Sequence, residues 1–169
     1  MIIRLAEQGD ATGIAAVLNP VIRNTTISFK SEELTLDQVR DMIAAAPVMF
    51  VAEENGAILG YASYSQFRRG MGYDRTMEHA ISLAPDARGR GVGRQLMNTI
   101  EIHARKAGMG SLWAGISGEN PGAVEFHKAI GFEQVAILPD VGFKFGRWID
   151  LILMRKWLSP AGDDGRGTD

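Results

Sequence analysis

Residues Thr76 to Gly93 read Thr-Met-Glu-His-Ala-Ile-Ser-Leu-Ala-Pro-Asp-Ala-Arg-Gly-Arg-Gly-Val-Gly. Thr76 to Leu83 is an extended run of strand type, and Pro85-Asp86 turns the chain. Val92, Leu96, Ile100 and Ala104 then recur every four residues, which predicts a helix, with Gly108 where a helix C′ residue belongs. Between strand and helix stand Gly89, Gly91 and Gly93. Glycines lack Cβ atoms, so such a turn can aim several backbone N–H groups at one point, and the following helix adds its positive end. The product is a nest for a polyanion, most simply a pyrophosphate, with Arg88, Arg90 and Arg94 adding charge. The spacing is G-x-G-x-G, which is not the dinucleotide pattern, and no Gly-Lys-Ser/Thr occurs for a Walker loop.

Working outward, Ile2 to Leu5 reads as a first strand. Asp10 is placed to cap a helix carrying Ile14, Val17, Leu18 and Val21 or Ile22, which Pro20 is expected to bend or end. Asn24 to Lys30 reads as a loop with Ile27 and Phe29 as apolar anchors. Thr35 and Gln38 form a capping box for a helix that stops before Pro47. Val48 to Glu53 and Ala57 to Ser65 are strands joined by Glu54-Asn55-Gly56. Leu112 to Ser117 is a strand, Asn120-Pro121 opens a short helix ended by Gly131, and Phe132 to Leu138 and Phe145 to Trp157 are closing strands. Strands outnumber helices and mostly hairpin together, so an α+β fold with a mixed sheet is expected rather than a doubly wound one. Residues 1–158 form one domain on this reading, and polar, glycine-rich Ser159 to Asp169 a mobile tail.

Composition narrows the function. With 169 residues, 46% hydrophobic and 22% charged, the chain is typical of a globular domain. A net charge of −2 lacks the footprint of a general nucleic-acid binder. No apolar run nears the roughly 20 residues that span a bilayer. The first residues, charged at Arg4 and Glu7, do not read as a secretory signal, so a cytoplasmic location is expected. The absence of cysteine excludes disulfides, thiolate metal sites and a cysteine acyl-enzyme; His79, His103 and His127 are too scattered for a zinc site, and no metal is expected.

Arg88, Gly91 and Gly93 also match Gln/Arg-x-x-Gly-x-Gly/Ala, the pyrophosphate loop of the GNAT N-acetyltransferase superfamily, and the element order resembles that superfamily to about Trp157. Within it the chain resembles the phosphinothricin and methionine sulfoximine N-acetyltransferase branch. The segments that carry this are Gly60-Tyr61-Ala62-Ser63-Tyr64, Met77-Glu78-His79 and Val141-Gly142-Phe143-Lys144-Phe145-Gly146-Arg147-Trp148-Ile149-Asp150. The resemblance implies acetyl-CoA as co-substrate and direct acetyl transfer to the amine of a small amino-acid-like molecule. It also implies a homodimer; charge and the lack of a long apolar run lead to the expectation of no nucleic-acid or membrane partner. A protein or peptide amine, or an acyl-CoA sensor without catalysis, are the alternatives.

The resemblance makes Glu78 the general base; an acid in a largely apolar strand also needs a reason to be there. His127 stands where relatives carry a proton donor for the departing thiolate, and an imidazolium near neutral pH can serve. Gly89 to Arg94, Val92 included, are expected at the pyrophosphate, and Ile81, Ser82 and Leu83 along the pantetheine arm as an added strand would lie. Asn120 caps its helix and, by resemblance, touches the same arm; Ala123 stands where many relatives have serine. Phe29, Tyr73, Asp74, Arg75, Lys144 and Arg147 are the expected substrate-side residues, with one cation, Arg68 and Arg69 included, gripping a carboxylate. Relatives place arginine where this chain has Asp74. His79 and His103 carry no expected role.

Overall fold

The computed structural model describes residues 1–158; the expected polar tail, 159–169, lies outside the described residues. Seven strands form one sheet in the order β1-β2-β3-β4-β5-β7-β6. They are β1 (Ile2–Leu5), β2 (Val48–Glu54), β3 (Ala57–Gln66), β4 (Thr76–Leu83), β5 (Ser111–Ser117), β6 (Glu133–Lys144) and β7 (Arg147–Trp157). All neighbours pair antiparallel except β4 and β5. This is the expected α+β architecture, and the four helices lie on both faces of the sheet.

On one face α1 (Ala11–Asn24) and α2 (Leu36–Ala45) bury Ile14, Leu18, Ile22, Val39 and Ile43 against Met49, Val51 and Tyr61. On the other α3 (Val92–Lys106) and α4 (Pro121–Ala129) cover Ala62, Met77, Leu112 and Met154 with Leu96, Met97 and Ile100. The capping box of α2 forms as read: Gln38 N donates to Thr35 Oγ1 and Thr35 N to Gln38 Oε1. Asp10 stands at the N-cap of α1, yet its carboxylate is taken by Arg4 and by the backbone of Glu7. Pro20 does not end α1, which runs on to Asn24. An interior proline costs about 3 kcal/mol. Burying Ile14, Leu18 and Ile22 contributes about 1.5–3 kcal/mol each, and that outweighs it.

The closing hairpin is longer than the sequence suggests. β6 continues past Leu138 to Lys144, and Phe145-Gly146 is the turn rather than the start of a strand, with φ of 51° and 76°. Pro139 and Asp140 hide this continuity. The register slips between Leu138 and Gly142, Asp140 takes a φ of 53°, and its N–H donates to Asp150 Oδ1 at 3.0 Å.

One irregularity positions everything that follows. β4 and β5 pair in parallel at Thr76, Met77 and Glu78 only, with Ser111, Leu112 and Trp113. Beyond Glu78 the two strands part, and the β5-facing edge of β4 over residues 79–83 has no ladder partner, although its other edge stays paired with β3. The sheet is split at its centre.

Candidate active site

Two cavities, of about 410 and 530 Å³, open along this split. They meet at residues common to both, among them Ile27, Ile81, Ser82, Asn120 and His127. The first reaches Glu78 and the second the glycine loop.

The larger cavity follows from the anion-nest reading. Gly89 and Gly91 adopt φ of 74° and 79°, and a Cβ on either would meet nothing within 4 Å, so both are glycine for their backbone conformation. Gly91 is the left-handed N-cap of α3. Gly93 answers a different need: a Cβ there would stand 3.2 Å from Leu83 and 3.4 Å from Phe126. Arg88, Gly89, Gly91, Val92, Gly93 and Arg94 line this cavity, as do Ile81, Ser82 and Leu83 of the open β4 edge. Arg90 is the exception. Its guanidinium donates to Glu54 at 2.6 Å and turns away. Asn120 caps α4, Oδ1 accepting from Ala123 N at 3.2 Å, and touches both cavities.

Glu78 reaches the smaller cavity half-buried. Burial raises its pKa above the ordinary carboxylate range, and the positive charge of Arg68 opposes that rise. Strand alternation sends Glu78 to the α1/α2 side and its neighbours Met77 and His79 to the other. Gly115, two residues past the last β4–β5 pair, makes the space: a Cβ there would stand 2.8 Å from Glu78 Oε1. Gly115→Ala leaves the backbone conformation allowed, and the flexible carboxylate end gives way. The fold should survive with turnover lowered by about tenfold or more, because small misplacements of a reacting group are costly. Unchanged turnover in the alanine variant would show that the carboxylate's position there is immaterial.

The same alternation gives His79 a partner that the sequence did not suggest. Its Nε2 lies 3.1 Å from Nε2 of His127, the rings nearly parallel with centroids 5.0 Å apart. His127 Nδ1 is 2.7 Å from the Ala123 carbonyl, which can only accept, so Nδ1 carries the proton and Nε2 accepts from His79. Burial pushes His79 down to about 3 and holds His127 below the ordinary imidazole range. Burial thus favours the neutral form of both rings, and the His127 Nδ1–H is engaged by the Ala123 carbonyl. His127 stands where the two cavities meet, its ring held between the Ala123 carbonyl and His79.

The substrate-side expectations fare unevenly. Arg75 does not reach the cavity; its Nε donates to Gly108 O at 3.1 Å. Lys144 is buried, its ammonium donating to Ile22 O and Ser28 O at 2.6 Å each, so it anchors a loop rather than gripping a ligand. Arg147 pairs with Glu119 at 2.8 Å. Phe29 packs so closely on Gly142 that any Cβ there would overlap its ring. Tyr73 and Asp74 lie exposed around a short turn, Asp74 facing Gln66, and neither lines the cavity. What lines it instead comes from the loop after α1: Ile27, Ser28 and Lys30. Ile27, an apolar residue in a polar loop, was the available signal.

Comparisons with known proteins bear on the family and the fold. A family model described as "Acetyltransferase (GNAT) family" matches residues 19–132. The L-methionine sulfoximine/L-methionine sulfone acetyltransferase of Salmonella typhimurium is 34% identical over 161 residues, 92% of this chain and 93% of that protein. The phosphinothricin N-acetyltransferase of Alcaligenes faecalis is 36% identical over 168 residues, 95% of this chain and 84% of that one. The solved structure of yncA from Salmonella typhimurium with its cofactor acetyl-CoA superposes with a TM-score of 0.88 at 32% identity, covering 94% of each chain.

Proposed function

Because this chain belongs to the acetyltransferase (GNAT) family, we propose that it moves an acetyl group from acetyl-CoA directly to the amine of a free amino acid or close analogue. The similar proteins named for methionine sulfoximine, methionine sulfone and phosphinothricin support this acceptor class. The observation that carries the reading is the split sheet. It joins an anion nest and an open strand edge on one side to a half-buried carboxylate on the other.

The residues present fit acetyl-CoA. Backbone amides of Gly89 to Arg94, with the N-terminus of α3, hold the pyrophosphate, and Arg88 and Arg94 supply charge. The unpaired edge at Ile81 to Leu83 bonds the amides of the pantetheine arm. When bound, acetyl-CoA supplies a thioester carbonyl for the amine to attack. Glu78 takes one proton from the acceptor's ammonium, directly or through water. The α-amino group at a peptide N-terminus has a pKa of about 8, and the neighbouring carboxylate of a free amino acid raises it further, so at pH 7 the acceptor arrives as an ammonium and needs a base. As nitrogen bonds to carbon and the C–S bond breaks, the second amine proton passes to sulfur. Glu78 then returns its own proton to solvent. No step needs His127.

The test is release of CoA thiol on mixing acetyl-CoA with free amino acids and their sulfoximine, sulfone and phosphinate analogues. Acetylation of at least one is expected; release only with peptides, or with none, overturns the reading.

The reading includes a homodimer. Val141, Phe143, Phe145 and Trp148 of the β6–β7 hairpin are each 49–61% exposed, and the Phe143 and Trp148 rings meet edge to face at 5.1 Å. An apolar surface of this kind calls for a partner, and a second copy of the chain is the one proposed. Trp148→Glu should move the protein from dimer to monomer in sedimentation. A wild-type chain that is monomeric and fully active would dismiss the dimer.

A further inference from the structure

We propose that Lys30 determines acceptor specificity, its ammonium binding the α-carboxylate of the amino acid whose amine faces Glu78. The inference rests on the acetyl-transfer reading above and goes further by assigning the acceptor's anionic end. Among the described residues lining the smaller cavity, the groups charged at pH 7 are Lys30 and Glu78, since the two histidines are held neutral by burial. The rest of the lining is apolar, hydroxyl or amide. One cation and one anion in a cavity of about 410 Å³ match a zwitterion, whose ammonium seeks the carboxylate and whose carboxylate seeks the lysine.

Other cations near the site already have work. Lys144 bonds two carbonyls, Arg75 bonds Gly108, Arg147 pairs with Glu119, and Arg90 with Glu54. Arg68 lies over the Phe67 ring and does not line the cavity. Lys30 has neither hydrogen bond nor ion pair from its ammonium to the described residues, while its backbone N–H bonds Ser28 Oγ at 3.3 Å. An exposed lysine usually sweeps a wide volume, but this one sits on a loop held from both sides. Lys144 grips the Ser28 carbonyl before it. After it, the Asn19 side chain bonds both backbone groups of Leu34, at 2.9 and 3.0 Å. The fixed backbone delivers the ammonium to the lining, and its three donors tolerate a range of carboxylate orientations.

The experiment compares Lys30→Met with wild type on two acceptors, an amino acid that the wild type acetylates and the amine of the same side chain lacking the carboxylate. Lys30→Met should raise KM for the amino acid at least about tenfold with kcat nearly unchanged. The carboxylate-free amine should be poor for both proteins, with KM differing by less than about twofold, and Lys30→Arg should recover part of the loss. An unmoved KM for the amino acid overturns the assignment and leaves acetyl transfer intact. An equal loss on the carboxylate-free amine also overturns it, by showing that the side chain only shapes the cavity. A wild type that acetylates no free amino acid fails earlier, at the reading of the site, and takes the assignment with it.

Discussion

Glu78→Gln lowers turnover by about 10²–10⁴ while leaving the Kd for acetyl-CoA near its wild-type value. Glutamine keeps the volume that fits against Gly115 and the hydrogen-bonding outline of the site, and removes the carboxylate proposed to take a proton from the acceptor. The pH profile carries a second mark. Burial lifts the Glu78 pKa above the usual carboxylate range despite Arg68. Wild-type kcat/KM should therefore fall on the acid side at a pH above about 4.3, as the base becomes protonated. That limb should vanish in the glutamine variant. Steady-state thiol release across pH, with calorimetry for the cofactor, checks both parts. Near-normal turnover at pH 7 removes Glu78 from the chemistry.

The second large effect is at Gly91. Its φ of 79° is a left-handed conformation that costs a side-chain-bearing residue about 1–2 kcal/mol, and a β-branched one more. Gly91→Val has open space for its Cβ, so the penalty comes from the backbone. The chain can relieve it by rotating the turn, which swings the N–H groups off the pyrophosphate. Acetyl-CoA affinity should fall by at least about tenfold, equal to roughly 1.4 kcal/mol. The core beneath α3 keeps Leu96 and Ile100, so the variant should still fold. A folded variant with unchanged affinity by calorimetry would mean that these amides do not hold the phosphates.

The glycine turn and the placement of Glu78 on the strand before it were legible because each is written in consecutive residues. Strand, turn and helix between Thr76 and Lys106 share one local logic, and the glycine spacing states its backbone demand directly. The acceptor side was not legible in the same way. Arg75 and Lys144 looked available because sequence shows a charge but not the carbonyl it bonds, here Gly108 for one, and Ile22 and Ser28 for the other. His79 looked idle because its partner lies 48 residues away on α4. Lys30 sits in a loop without periodicity or motif, and enters the site only through the fold of α1 against β4. The closing hairpin reads short, ending at Leu138, because Pro139 and Asp140 interrupt the strand pattern, whereas a bulge absorbs them within the strand.

The parting of β4 from β5 has a consequence for how the sheet meets other strands. Open N–H and C=O groups on a strand edge template the pairing of other chains, and sheets commonly blunt their edges with short strands or charge. At one margin this sheet does so: β1 has four residues, and its Arg4 is tied to Glu53 and Asp10. Residues 79–83 of β4 form a third, interior edge with the same unsatisfied groups. It is shielded by neither charge nor proline. Its protection is position: β5 remains fastened to β4 at residues 76–78, and α4 closes over the gap with Ala123 and His127. A foreign strand, with side chains on both faces, is bulkier in that gap than a slender arm bearing amides. The enclosure that leaves this edge unpaired also limits what can reach it.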